Sequence, residues 1–339
     1  MPFIKEILKY DSLSIVGLEK NVGKTECLNY ILERLPLQQL RVAVTSIGTD
    51  GENKDQVTST KKPEIFLREG VYFSTAEAHY RERRLTGELV EITDERCSLG
   101  RIVTARVIVG GKALISGPSS GASLRRWSNG LKKFGIDLAI IDGAISRLSS
   151  ASPAISKAMI LSTGAALSSN ISTLVQKTKF VVEMIALPLL QDDLRNKLLD
   201  IENGVWGVDM DGNTVDFQLS SSLAINTLDV DITQGMKIIY TAGALTDKLL
   251  NIIANSKNIK NITLVVKDFT KIFVNETVYR IFCSRGGKIA VMQKSKLIAV
   301  CVNPTAPNGY VLDSDTLCRK LEEALQLPVY DIVKNSYDI

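Results

Sequence analysis

Histidine is almost absent: His79 is the only one in 339 residues, which excludes a metal centre built on several imidazoles and any repeated histidine chemistry. The five cysteines, Cys27, Cys97, Cys283, Cys301 and Cys318, contain no C-x-x-C pair. Their odd number argues against a disulfide framework, so a reducing, cytoplasmic setting is expected. No apolar run approaches the roughly 18 residues of a membrane span. The longest, residues 180–190, is interrupted by Glu183 and followed by a polar stretch, and the opening MPFIKEILKY lacks the apolar centre of a secretion signal. No membrane partner is expected. Neither sign of charge dominates, with 41 Lys and Arg against 37 Asp and Glu and no long basic block, so nucleic acid is not expected as a partner. The chemistry that remains belongs to carboxylates, lysines, hydroxyls and backbone amides.

What is present is an ordinary globular composition, 45% hydrophobic and 23% charged, in a chain long enough for two domains. Apolar, β-rich runs alternate with segments of helical period, the order expected of parallel α/β layers. Strands are predicted at 13–16 and 41–46, a hairpin around Gly110-Gly111, a helix over 123–134 closed by Gly135, and strands at 138–141 and 158–163. After a long helical stretch and a polar linker at 191–203, a second hairpin is predicted around Asp211-Gly212. Further strands and helices follow, ending in strand 297–302, helix 314–325 and strand 328–332. The expected organisation is a P-loop NTPase domain with a mostly parallel sheet over residues 1–195. A second, smaller α/β domain over 196–339, with no glycine loop of its own, would serve partner docking or dimerisation, and a homodimer is among the expected assemblies. A fragment ending near residue 195 would then keep the loop and its carboxylates.

Residues 17–25 read GLEKNVGKT, between an apolar strand and an amphipathic helix. A glycine-rich turn in that setting wraps an anion, because its amides point inward and the helix N-terminus adds positive potential. Gly17 and Gly23 permit the backbone, and Glu19, Lys20, Asn21, Val22 and Glu26 complete the candidate phosphate-binding segment. Lys24 would reach the β- and γ-phosphates of ATP, and the Thr25 hydroxyl would hold Mg²⁺. Five residues separate Gly17 from Gly23, one more than the common form of this loop.

A carboxylate at the end of a buried strand holds hydrated Mg²⁺ in such proteins, and residues 138–143, LAIIDG, present Asp142 in that way. Asp50 and Glu52 follow the second strand on the edge where ligands of parallel sheets collect. Asp50 is assigned to the attacking water or a metal-bound water, against an alternative in which Asp50-Gly51 is simply a turn. Arg147 is a candidate phosphate contact or a solvated loop residue. The small hydroxyl residues at 117–121 either bind a further anion or cap the next helix. His79 has no assigned partner, and Trp127, Trp206, Tyr72 and Phe73 read as packing residues. No N-K-x-D motif follows Asp142, which favours ATP over GTP.

The longer loop, with an acidic residue at Glu19 and a valine at Val22, resembles that of dethiobiotin synthetase, within the class that includes MinD-like ATPases, nitrogenase iron protein and signal-recognition GTPases. The MinD branch carries its signature lysine where this chain has Glu19, so activation of a dimer through that lysine is not implied. Read together, GLEKNVGKT, SIGTDGE, LAIIDGAISR, STGAAL and VNPTAPNG resemble the P-loop subunit family of lysine 5,6-aminomutase reactivases. That resemblance implies an ATPase that exchanges the damaged cofactor of an adenosylcobalamin-dependent aminomutase, working with that enzyme and a second reactivase subunit. No D-x-H-x-x-G motif is present, so the cobalamin would belong to the partner. A small-molecule ligase or kinase resembling dethiobiotin synthetase and a nucleotide-switched binding module are the alternatives.

Overall fold

Near-continuous apolar runs fold into strands buried on both faces, as parallel sheets require. The computed structural model describes residues 3–47, 65–144, 152–224 and 231–334. The order begins α1 (Phe3–Ile7), β1 (Ser12–Gly17), α2 (Lys24–Arg34), β2 (Val42–Ser46), β3 (Ile65–Leu67), β4 (Tyr72–Ala76) and α3 (Glu77–Arg81). It continues β5 (Arg84–Cys97), β6 (Gly100–Ala113), α4 (Gly121–Gly130), β7 (Leu138–Ala144), β8 (Ala158–Gly164) and α5 (Ile171–Ala186). Then come α6 (Asp192–Leu198), β9 (Val205–Asp209), β10 (Thr214–Leu219), β11 (Met236–Thr241), β12 (Leu245–Thr246) and α7 (Asp247–Ala254). Next are β13 (Thr263–Val266), β14 (Ile272–Phe273), α8 (Glu276–Ser284) and β15 (Lys288–Val291), and β16 (Lys296–Asn303), α9 (Ser314–Leu325) and β17 (Val329–Asp331) close the chain.

The protein is mixed α/β with a large, mostly parallel sheet. Two compact units form, residues 1–179 with 295–339, and residues 180–294. In the first, the described strands run β17-β16-β8-β1-β7-β2-β4-β6-β3, with β5 paired to β6. Pairing is parallel from β17 through to β4 and antiparallel at β6. All six residues of β1 and all seven of β8 are buried. Leu13 and Ile15 of β1 pack with Cys27, Leu28 and Ile31 of α2 and with Ile298, Ala299 and Cys301 of β16 in one apolar cluster. The second unit holds the described strands β10-β9-β11-β13-β15, with Ile238, Tyr240, Val265 and Ala290 in its core.

The division differs from the expected boundary at 195. β16 pairs in parallel with β8, from Lys296 against Ala158 to Asn303 against Gly164, so the last strands and α9 belong to the first unit. Local periodicity predicts β16 as a strand but carries no signal for a partner so distant in sequence. The 110–111 hairpin is also corrected. β5 and β6 turn at 98–99, and Gly110-Gly111 lies inside β6. A Cβ on Gly111 would stand 2.0 Å from the Arg84 carbonyl oxygen, and one on Gly110 would stand 3.2 Å from that of Leu67. These glycines admit neighbouring strands at close range rather than turning the chain. The expected turn at Asp211-Gly212 does join β9 to β10, with Gly212 at φ +90°.

Candidate functional site

β1 delivers its C-terminal residue, Gly17, directly into the glycine loop, and α2 begins at Lys24. Asn21 and Gly23 have φ of +61° and +87°, on either side of the buried Val22. Left-handed residues in such turns form backbone concavities suited to anions. Gly23 is the residue preceding α2, and no side chain caps the first amides of that helix. Those amides are the orphan donors of a helix N-terminus, where positive potential gathers. Glu26 lies exposed in the same first turn.

Lys24 folds back across the loop. A Cβ at Gly17 would come 2.7 Å from Lys24 Cδ and 2.8 Å from its Nζ, so the lysine occupies the space the glycine leaves. Lys24 Nζ donates to the Glu19 carbonyl at 3.2 Å, and the Glu19 side chain accepts from the Lys20 amide at 2.9 Å. Burial pushes the Lys24 ammonium below its ordinary value of 10.5, the negative charges of Asp142 and Glu19 pull it back up, and Lys20 adds to the depression. A lysine held in that balance gains most when a further anion arrives.

Asp142 lies inside β7, which runs on to Ala144 rather than ending at 141 as expected, and it is in register with Ile15 of β1 on one side and Ser46 of β2 on the other. The strands therefore bring its carboxylate to the edge where the loop turns, within electrostatic reach of Lys24. Thr25 sits beside Lys24 in the first turn of α2. Asp50, Glu52 and Arg147 lie outside the described residues.

No family model, curated protein or solved structure matches the chain. What the edge can do follows from its own groups: uncapped helix amides and a half-buried ammonium that attract an anion, with a hydroxyl and a carboxylate as hard oxygen donors nearby. Among the described residues, no three His, Cys, Asp or Glu side chains gather into a cage able to hold a metal alone.

The structure adds Asn303, which the division at 195 had assigned elsewhere. Its Cβ lies 2.9 Å from where a Gly23 Cβ would stand, and its Nδ2 donates to the Asn21 carbonyl at 3.5 Å. The Asn303 carbonyl accepts from the Ala165 amide at 2.9 Å, across a glycine, Gly164, whose Cβ would meet that oxygen at 2.1 Å. Leu18 likewise donates its amide to the Ser162 carbonyl at 2.9 Å. The ends of β8 and β16 thus brace the loop, and the polar residue closing the apolar run of β16 was the available signal.

Other residues take structural places. Ser120 accepts from the Ser123 amide at 3.1 Å, so the 117–121 segment caps α4. His79 is buried with its Nδ1 2.8 Å from the Ser116 hydroxyl. Trp127 donates to the Ser74 hydroxyl, Trp206 donates to the Asn203 carbonyl, Phe73 is buried, and Tyr72 stacks on Phe134.

Proposed function

We propose that residues 1–179 with 295–339 form a P-loop nucleotide-binding unit that takes Mg²⁺ with ATP and hydrolyses it. The observation that carries this reading is Lys24 laid across Gly17 at the uncapped start of α2, within electrostatic reach of the Asp142 carboxylate of β7. The residues present fit the group: Gly17 leaves room for Lys24 to lie across the loop, and the donors on offer suit phosphate and a hard cation. The loop amides and Lys24 would hold the phosphates, with Thr25 and Asp142 holding Mg²⁺. When bound, the metal neutralises charge on the phosphoryl oxygens. Lys24 contributes a fixed positive charge where negative charge accumulates, and the buried strand ends beneath the loop keep that charge in place.

ATP is favoured because the guanine-reading motif is lacking. The resemblance to aminomutase reactivases supports a protein target, an adenosylcobalamin-dependent aminomutase. Calorimetry with Mg²⁺-ATP tests the binding step. A charge-assisted phosphate contact contributes about 1.5–3 kcal/mol, so Lys24→Ala should weaken affinity roughly ten-fold to a hundred-fold. Unchanged affinity in a folded Lys24→Ala protein removes the proposal. ATP turnover stimulated by an aminomutase, and not by small carboxylic substrates, supports the protein target over a ligase.

A further inference from the structure

The parallel strands have a second edge, at the opposite end of β1 from the glycine loop. There Asp11, Ser12, Ala139 and Lys157 line a cleft of about 250 Å³ closed on its other side by α4 and the turn after it. Arg125, Ser128, Asn129 and Lys132 all line it, spaced as one stripe along that helix and turn. Leu131, Ile136, Ala139 and Ile155 give it an apolar wall.

Its charges are unevenly satisfied. Asp11, the one acid in the lining, is engaged by Lys157 Nζ at 2.5 Å and by the Ser12 hydroxyl at 2.8 Å. The neighbouring cations Arg126 and Lys133 are paired with Glu95 and Glu91 of β5. The side chains of Arg125 and Lys132, the two cations of α4 and the turn after it that line the cleft, have neither an ion pair nor a hydrogen bond among the described residues. The same short helical segment neutralises the cations next in sequence and leaves those two open.

We propose that this cleft binds a small organic anion, its acidic head on Arg125 and Lys132 and a short apolar body against Leu131, Ile136, Ala139 and Ile155. Two cations beside hydroxyl and amide groups select a carboxylate or a phosphate monoester, since both accept charge-assisted hydrogen bonds. The volume lies under the about 300–1,000 Å³ of pockets for drug-sized ligands, which sets the size of the body. The site is independent of the glycine loop, so its test does not depend on ATP binding.

Trp127 packs with Ile155 and with Leu131 and Ile136, and the only other tryptophan, Trp206, lies in the other unit. The fluorescence of a Trp206→Phe protein therefore reports on the cleft, and equilibrium dialysis with the unmodified protein gives the same ordering without that substitution. The probes are hexanoate, hexyl phosphate, inorganic phosphate and hexylammonium. Saturable binding of hexanoate or hexyl phosphate is expected, the tighter of the two naming the head group. Combined Arg125→Gln and Lys132→Gln substitutions, both on exposed side chains, should weaken that binding roughly ten-fold or more and leave Mg²⁺-ATP affinity unchanged. Inorganic phosphate binding as tightly as hexyl phosphate overturns the apolar body. Hexylammonium binding as well as hexanoate, an unaffected double variant, or no saturable binding by any probe overturns the site.

Discussion

Each unit has a parallel strand that runs through a glycine-containing turn into a helix, and the two turns are built for different purposes. In the first, Gly17 and Gly23 enclose a loop braced by Asn303, the start of α2 has no side-chain cap, and the Lys24 side chain lies across Gly17. In the second, β11 leads through 242–246 to α7, whose first residue is Asp247. Asp247 accepts from the Asn275 amide at 2.8 Å and from the Asn275 side chain at 2.6 Å. Neither helix start has a side-chain cap, and each has an acid in its first turn, Glu26 in α2 and Asp247 in α7. Asp247 is tied to Asn275, whereas the glycine loop sets two left-handed residues before its helix and a lysine at its start. The lesson is that sheet and helix alone do not make an anion site. What differs is the turn before the helix, with Lys24 laid across it and the left-handed Asn21 and Gly23 within it in the first.

The largest effect concerns what braces the first turn. Ending the chain at residue 195 removes Ile298, Ala299, Cys301 and Ile332 from the main core, along with the Asn303 brace. Truncating one large buried aliphatic residue costs about 2–5 kcal/mol, so this fragment should fail to melt cooperatively by calorimetry. A cooperative, ATP-binding fragment would show that the brace is dispensable.

Next comes Asp142→Asn. A bound metal contributes several kcal/mol of charge stabilisation in the transition state, so hydrolysis should fall roughly 100-fold or more, with ATP affinity much less affected. Steady-state phosphate release beside calorimetry separates the two, and wild-type turnover would give Asp142 a purely structural place.

Gly17→Ala probes the contact that distinguishes the first turn. The added methyl would meet the flexible end of Lys24 rather than backbone, so the fold should survive while Lys24 is displaced. An affinity loss of roughly ten-fold is expected, with thermal melting close to wild type. The same lysine gives a pH signature. Its folded value lies below 10.5, so under alkaline conditions the unfolded chain holds more protons than the native one. Stability should therefore rise with pH as the solution passes from the folded value to 10.5. Phosphate favours the charged form, so binding in that window should take up protons, visible as a dependence of calorimetric heat on buffer ionisation enthalpy.

The smallest effect is expected in the second turn. Asp247→Ala removes a first-turn carboxylate, a loss of about 1 kcal/mol, lowering the melting temperature with no change in ATP affinity. A measurable affinity change there would break the contrast between the turns.

Most elements were legible from pattern. The strand ending at Gly17, the α4 segment with Gly135 at φ +64° after it, and α9 with its strand follow from apolar periodicity and from glycines that tolerate left-handed backbone. The strand predicted at 138–141 forms but continues to Ala144, past Asp142. The glycine loop was legible because its residue types sit next to each other. Gly110-Gly111 misled because glycine serves turns and close strand approach equally, and only the neighbours distinguish them. Asn303 was misassigned because its contact to the loop spans most of the chain, a separation local pattern does not encode.

The sequence by itself determined the alternation of strands and helices, the glycine loop and its lysine, and the strand that carries Asp142, because each depends on residues within a few positions of one another. Only the tertiary structure decided that β16 returns to pair with β8, that Asn303 braces Gly23, and that Arg125 and Lys132 line one cleft with Asp11 and Lys157. Those outcomes depend on which apolar faces meet and on the close approach of strands distant in sequence. Packing sets them through the whole core at once.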